Sequence, residues 1–241
     1  MTATPRSLTE RCLRALATGL AFVVAALTAA HAANGDRFAQ VHRVGIISAL
    51  GDRVEIAVTG FTAVDGKDGY LPIDTWRLDD LATRDATALL GGRFQISPVV
   101  YDPASFLPAD ADTRRLEPPL GPLIQALPAS NVDAYLVVRR ANWSGASTWA
   151  LDGLGVHKSK ILFGVHPMVY VMLEVALVQA GTGKTLVSRT LGDPSATFED
   201  RSDWADTPAE MTTVQVERLH SRIVELVQKD LARTLASMGL P

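Results

Sequence analysis

A glycine-rich turn near residue 181 carries residue types that could hold a phosphate. The run Gly181-Thr182-Gly183-Lys184-Thr185 ends in the Gly-Lys-Thr order of a phosphate-binding loop. That loop also requires a glycine five residues before Gly183, where this chain has Val178. It further requires a helix after the lysine, whereas residues 185–190 have the β-branched composition of a strand. We therefore predict a hairpin turn here, with no nucleotide and no other cofactor.

A serine, an aspartate and a histidine lie close enough in sequence to raise the possibility of a hydrolytic triad. These residues are Ser144, Asp152 and His157. The run Trp143-Ser144-Gly145 lacks the Gly-x-Ser-x-Gly frame of a strand-to-helix nucleophile elbow. Triads are assembled in space rather than in sequence, so a hydrolase stays an alternative. We predict a protein that is not an enzyme.

The remaining metal-ligating residue types do not have the spacing of a metal site. Four histidines follow residue 32, at positions 42, 157, 166 and 220, too far apart for a zinc motif such as His-Glu-x-x-His. The acidic run 193–206 lacks the Asp-x-Asp-x-Asp-Gly order of a calcium loop. We expect no bound metal.

One segment has the composition of an interaction surface. Arg139, Arg140 and Trp143 lie close together, and glycines follow them. Arginine and tryptophan are enriched in protein interfaces, where they bury a large area. We predict an interaction surface at these three residues. The alternative is an ordinary strand end with its arginines in water.

The first 32 residues indicate export. Three arginines precede an apolar run over 15–30, and Ala30-His31-Ala32 follows the pattern of a cleavage site. The apolar run is shorter than the roughly 20 residues that a spanning helix needs. We predict a signal peptide over 1–32 and a periplasmic or secreted protein with no membrane span after cleavage, an uncleaved anchor being the alternative.

The composition excludes several classes of protein. The whole chain has 241 residues, 47% of them hydrophobic and 20% charged, which is typical of a globular protein. Removing residues 1–32 takes away three of the 23 basic side chains and one of the 26 acidic ones, so the net charge becomes −5. A mildly acidic chain with no basic block is not expected to bind nucleic acid. Cys12 is the single cysteine and lies within the signal segment, which excludes a disulfide framework.

The first half of the chain predicts strands around one helix. Residues 41–48 and 53–59 are β-rich runs, and the short connection between them predicts a hairpin. Asp74 could cap a helix over 75–90 that Gly91-Gly92 ends. A strand is expected over 93–101, and a proline-rich loop over 102–122 leads into a short helix near 123–127.

The second half predicts a more regular arrangement. Residues 132–139 have the composition of a strand that is buried on both faces. Residues 169–178 predict one long apolar strand, which pairs with 185–190 across the glycine-rich turn. Thr207-Pro208 predicts the start of a long helix. Its apolar positions lie at three- and four-residue spacing until Gly239.

Together these elements predict an α/β (α+β) fold. We expect one exported domain over 33–241, with a mixed and largely antiparallel sheet covered by the helix near 75–90 and by a long amphipathic C-terminal helix. The sequence leaves open whether the strands on either side of the proline-rich loop join one sheet, because strand pairing is a long-range property.

The order of elements from residue 132 to 235 resembles a group of small periplasmic α/β domains. The resemblance rests on the strand Val132-Asp133-Ala134-Tyr135-Leu136-Val137-Val138, the apolar strand over 170–179, the Thr182-Gly183-Lys184 turn, the returning strand and the closing helix. The group includes the curli-secretion channel subunit, the lipoprotein activators of penicillin-binding proteins and the amino-terminal domain of the Tol-Pal β-propeller protein. Arg139 and Gln179 depart from the glycine and aspartate usual in these domains. The resemblance implies a protein-binding or assembly module without catalytic residues.

The sequence therefore predicts a non-catalytic envelope module that binds another envelope protein or associates with itself. The alternatives are a periplasmic hydrolase with a site near Ser144, Asp152 and His157, and a sensor of a small ligand.

Overall fold

The architecture comes from a computed structural model, which describes residues 38–59, 67–107, 118–144, 150–161, 164–192 and 204–241. The predicted signal segment, 1–32, lies outside the described residues. Residues 41–241 form one compact unit, and residues 1–40 form a separate unit of which only the turn at 38–40 is described. The predicted α/β class is confirmed, with the strands divided between two large sheets.

The larger sheet has five strands, in the order β11-β10-β5-β1-β4. Strand β1 runs parallel to both β4 and β5, whereas β10 runs antiparallel to β5 and to β11. Strands from both sides of the proline-rich loop therefore share this sheet. Its strands are β1 (Arg43–Ala49), β4 (Gln95–Ser97), β5 (Ala134–Arg140), β10 (Leu173–Gln179) and β11 (Thr185–Leu191).

Strands β1 and β5 form the centre of this sheet, and both are almost completely buried. The prediction that the 132–139 region is a strand buried on both faces is confirmed. Asp133, directly before β5, connects the starts of β5 and β1, because its carboxylate accepts the backbone N–H groups of His42 and Arg43, each at 2.8 Å. These two donors hold the pKa of the Asp133 carboxyl below its ordinary value of 3.8.

The second sheet has four strands, in the order β3-β2-β8-β9. Strand β2 pairs antiparallel with β3 and parallel with β8, and β8 pairs antiparallel with β9. A two-stranded ribbon, β6-β7, follows β5 in the chain. The strands are β2 (Arg53–Thr59), β3 (Lys67–Pro72), β6 (Asn142–Ser144), β7 (Ala150–Asp152), β8 (Leu154–Ile161) and β9 (Gly164–Val171).

Two predictions about neighbouring strands are wrong, and for the same reason. The expected hairpin of 41–48 with 53–59 does not form, because β1 belongs to the five-stranded sheet and β2 to the four-stranded one. The expected single strand over 169–178 is two strands, β9 and β10, which lie in different sheets and meet at Met172. The chain crosses between sheets through the short connection at residues 50–52 and, at Met172, within a continuous apolar run. Neither a short connection nor alternation along the sequence reveals such a crossing.

The buried side chain of Arg140 lies where the chain makes these crossings. Its guanidinium donates hydrogen bonds to the carbonyl oxygens of Leu50 and Arg53, on either side of the β1–β2 connection. Gly51 and Gly153 both have positive φ, 76° and 63°. A Cβ on either would lie 3.2 Å or less from Arg140 atoms. Both glycines are therefore required by backbone conformation and by the space that Arg140 fills.

Helix α1 (Leu78–Leu90) covers one face of the five-stranded sheet and packs against β1. It buries the face formed by Leu78, Ala82, Ala86 and Leu90. The helix ends before Gly91, as predicted. The predicted cap at Asp74 is wrong, because Asp74–Trp76 forms a separate 3-10 turn and Arg77 occupies the N-cap position.

Helix α3 (Thr213–Ser237) is the long terminal helix and packs against α1, β9, β10 and β11. The predicted apolar face is buried at Leu219, Ile223, Leu226, Val227, Leu231 and Leu235. The predicted start at Thr207 is wrong. Pro208–Glu210 forms a 3-10 turn, and the helix begins after Thr212, which makes a capping box with Gln215.

The opposite face of the five-stranded sheet is covered by shorter elements. Helix α2 (Leu120–Gln125) and the 3-10 turn Pro103–Phe106 pack against Ile47, Tyr135 and Val137. The strand expected over 93–101 is shorter, since only Gln95–Ser97 pairs with β1 before Pro98. The short helix expected near 123–127 begins three residues earlier, at Leu120.

We predict that Arg140→Met lowers the free energy of unfolding by about 2–4 kcal/mol, because the carbonyls of Leu50 and Arg53 lose a buried charged donor. Urea denaturation followed by tryptophan fluorescence measures this effect. Arg189→Met is the matched control on exposed strand β11, expected to change stability by no more than about 0.5 kcal/mol. Equal stability of the two variants would contradict the role assigned to Arg140.

Candidate binding groove

The arginines predicted to form an interaction surface are buried in the structure. Arg139 is 4% exposed. Its guanidinium pairs with Glu174 on β10, at 2.6 and 2.8 Å, and donates to the carbonyl of Pro118 at 2.6 Å. Arg139 therefore joins β5 to β10 and to the segment that precedes α2.

Arg140 is 5% exposed and joins the two sheets. The exposed arginine pair expected at this strand end is therefore absent, because each guanidinium is occupied by acceptors that are distant in sequence. The backbone of Trp143 lies in β6. Its side chain lies outside the described part of the chain, so its role at a surface stays a prediction.

The residues of the alternative hydrolase site are only partly described. His157 lies on β8, is 3% exposed, and its Nε2 is 2.8 Å from Oγ1 of Thr59 on β2. Burial lowers the pKa of the imidazole from 6.5 to about 4, so the ring is neutral at neutral pH. The side chains of Ser144 and Asp152 lie outside the described residues, and the proposed triad stays untested.

A different surface combines an aromatic floor with exposed charges. The ring of Trp76 stacks on that of His220, with centroids 4.7 Å apart and planes 26° from parallel. A groove of about 500 Å³ opens beside this pair, between α1 and α3. We call it the Trp76 groove, and its walls are formed by Trp76, Arg77, Asp80, Leu81, Arg84, His220 and Val224.

The turn before α1 places Trp76 at the groove. The N–H of Ile73 donates to the carbonyl of Asp52 at 2.6 Å, and Ile73 itself is buried. At the first turn of α1, the carboxylate of Asp79 accepts from the Ser48 hydroxyl at 2.6 Å and from the Leu50 N–H at 2.7 Å. The 3-10 turn is therefore held at both ends by the β1–β2 region.

Arg77 joins the 3-10 turn to α1 in the left-handed conformation, with φ 52° and ψ 43°. It is the only non-glycine residue with positive φ in the described part of the chain. This conformation costs a residue with a Cβ about 1–2 kcal/mol. Backbone strain of this kind concentrates at functional sites. Here it turns the chain so that Trp76 faces α3 while Arg77 remains exposed.

The charges along the groove are paired only weakly. Arg77 forms an ion pair with Asp80, with side-chain exposures of 76% and 62%. Arg84 lies 3.0 Å from Asp85, and its side chain is 66% exposed. Exposed pairs contribute about 0–1 kcal/mol each. A carboxylate from a partner can therefore replace Asp80 at small cost, whereas the side chain of Asp85 is 19% exposed and also accepts from Gln228.

Sequence reasoning did not find this groove. The sequence predicts residue 76 at the start of a helix, and His220 is one of four histidines that are too far apart for a metal site. The stacked rings are 144 positions apart, and only the packing of α1 on α3 brings them together. The one local signal was a tryptophan directly before a charged helical turn.

Two further properties of the described residues concern metal binding and membrane insertion. No group of three or more histidine, cysteine, aspartate or glutamate side chains in these ranges is placed to hold a metal ion. No helix among them has both the length and the apolar character needed to cross a bilayer.

Comparison with known proteins adds little. No family model matches this chain, and no curated protein matches it. One solved structure with similarity is protein XCC0632 from Xanthomonas campestris, described as DUF330, with 13% sequence identity and a TM-score of 0.40. The match covers 83% of this chain and 85% of that one. A likeness of this size supports no conclusion about fold or function.

Burial of His157 predicts a specific loss of stability in acid. Between pH 6.5 and about 4 the unfolded chain binds a proton at this residue that the native protein does not. Stability therefore falls as the pH falls through this range, by about 2–3 kcal/mol from this residue. Urea midpoints at pH 7.5 and 4.5 should differ less in His157→Gln than in the native protein. An unchanged pH dependence would contradict the assignment.

The left-handed conformation of Arg77 predicts that glycine stabilises the protein more than alanine at this position, which is the reverse of their order inside a helix. Arg77→Gly should be more stable than Arg77→Ala by about 1 kcal/mol, because both remove the side chain but only alanine keeps the strain. Arg84, inside α1, provides the control. There the alanine variant should be the more stable one, by about 1 kcal/mol. Thermal melts of the four variants test this, and the same order at both positions would exclude strain at Arg77.

Proposed function

We propose that this protein is a non-catalytic, exported binding module of the cell envelope, which docks another envelope protein through the Trp76 groove. The observation that carries this proposal is the stacked Trp76–His220 pair beside two exposed arginines. Tryptophan and arginine are the residue types that dominate binding energy in protein interfaces. The groove volume of about 500 Å³ is large enough to accept an apolar side chain of a partner.

The chemistry of the groove indicates the kind of partner segment it fits. Trp76 and Val224 offer apolar surface, and Arg77 and Arg84 stand at the rim. A segment with one aromatic or aliphatic anchor, flanked by acidic side chains, would place its anchor against Trp76. Its carboxylates would pair with the exposed guanidinium groups of Arg77 and Arg84. Export is supported by the three arginines and the apolar run over 15–30 that follows them. The resemblance of residues 132–235 to periplasmic assembly domains also supports export.

Site-specific photo-crosslinking in intact cells tests this function. A photoreactive phenylalanine analogue at position 80 should form a discrete adduct with an envelope protein, whereas the same analogue at Arg189, on the exposed edge strand β11, should not form that adduct. The adduct should fall at least fivefold on Trp76→Ala, since truncation of an interface tryptophan costs about 2 kcal/mol or more.

Trp76→Ala removes a half-buried ring, so a surface variant is needed beside it. Arg84→Glu reverses a 66% exposed charge and should reduce the adduct from a probe at position 80 without changing the melting temperature. An adduct that survives both substitutions would overturn the groove as the docking site. Export is checked separately. Mass spectrometry of the mature protein should give the mass of a chain that begins at residue 33.

A further inference from the structure

A second pocket lies on the opposite face of the five-stranded sheet from the Trp76 groove. It has a volume of about 410 Å³. Its walls are the first residue of β1, the edge strand β4 with the segment after it, and the turn before β5. We call it the Arg43 pocket, and its walls are Arg43, Gln95, Ser97–Val100 and 128–132.

Arg43 provides the one basic side chain among the residues that line this pocket. Its side chain is half-buried, and no described residue forms an ion pair with its guanidinium. The charge of Arg43 helps to lower the pKa of the nearby Asp133 carboxyl, but the Oδ2 of that carboxylate accepts the backbone N–H groups of His42 and Arg43. A half-buried cation in this setting is stabilised by an anion that can form charge-assisted hydrogen bonds.

The remaining walls are mainly apolar. Pro98, Val99 and Pro128 line the pocket, and Val100 stands beside them with 80% of its surface exposed. Val100 is one of two large hydrophobic residues that are strongly exposed in the described part of the chain. The pocket therefore fits an anion with an apolar body rather than an inorganic ion.

The adjoining edge of β4 points to a polypeptide as the source of that anion. The backbone N–H of Gln95 donates to the carbonyl of His42 on the β1 side, at 2.9 Å. Because successive residues of a strand direct their backbone groups to opposite sides, the N–H and C=O of Ile96 point away from β1. No described residue bonds these two groups of Ile96. A short extended segment can add here as a strand, and Pro98 prevents the addition from extending further.

From these observations we infer that the Arg43 pocket binds the carboxyl terminus of a polypeptide. The terminal carboxylate pairs with the guanidinium of Arg43, the apolar side chain of the last residue fills the space against Pro98, Val99 and Pro128, and the backbone of the segment bonds to Ile96. This site is separate from the Trp76 groove, so the inference does not depend on the proposed function.

Fluorescence polarisation on the purified mature protein tests the inference. The probes are fluorescein-labelled hexapeptides that end in valine, leucine or phenylalanine, each prepared with a free carboxyl terminus and as the carboxyl amide. At least one free acid should bind at least about tenfold more tightly than its amide, since the amide lacks the negative charge that pairs with Arg43. Equal affinity of acid and amide, or no binding at millimolar protein, would overturn the inference.

Two variants locate the binding. Arg43→Gln should bind acid and amide equally, whereas Arg189→Gln, at the opposite edge of the same sheet, should keep the native preference. Val100→Ser should weaken both peptides several-fold while preserving their ratio. Retention of the acid preference in Arg43→Gln would overturn the assignment. Octanoate supplies the same carboxylate without a peptide backbone, and octanoate binding as tightly as the best peptide acid would overturn a peptide-specific site.

Discussion

The buried guanidinium of Arg140 is the interaction on which the arrangement of the two sheets depends. It binds the carbonyl oxygens of Leu50 and Arg53, and so connects the end of β5 to the turn that carries the chain from the five-stranded to the four-stranded sheet. Gly51 and Gly153 both lie against this side chain, and Gly153 directly precedes β8. Arginine suits this position because its planar donors can serve several carbonyls at once. The two flanking glycines leave the room that its side chain needs.

The four-stranded sheet also contains buried polar groups, and each has a partner. The hydroxyl of Tyr170 on β9 donates to Glu55 on β2. Lys158 on β8 donates to the carbonyl of Trp204 at 2.5 Å and pairs with Asp206. Among the described side chains, no buried nitrogen or oxygen atom lacks a hydrogen bond. Buried groups satisfied in this way disfavour alternative strand registers, because a shift of one residue would leave several of them unpaired.

Local signals predicted the elements better than they predicted the site. The buried strand β5, the β10–β11 hairpin across Gly183 and the apolar face of α3 follow from composition and periodicity. The placement of β1 and β2 in separate sheets does not. The burial of Arg139 and Arg140 does not follow from the sequence either, because their acceptors at Glu174 and Leu50 are 35 and 90 positions away. A charged pair at a strand end is normally solvated, and only tertiary structure supplies the partners that permit burial.

The position of β1 at the centre of its sheet has a consequence for how the chain folds. This strand pairs with β5, whose partner residues lie 90 positions later, and β4 is also distant in sequence. Contacts of such separation slow folding, because a long loop must close before they form. Until then, the segment Val44–Leu50 is an uncharged run that contains three β-branched residues and no proline. Such a run is prone to intermolecular pairing. The chain is therefore most prone to aggregation in the interval before β5 pairs with β1.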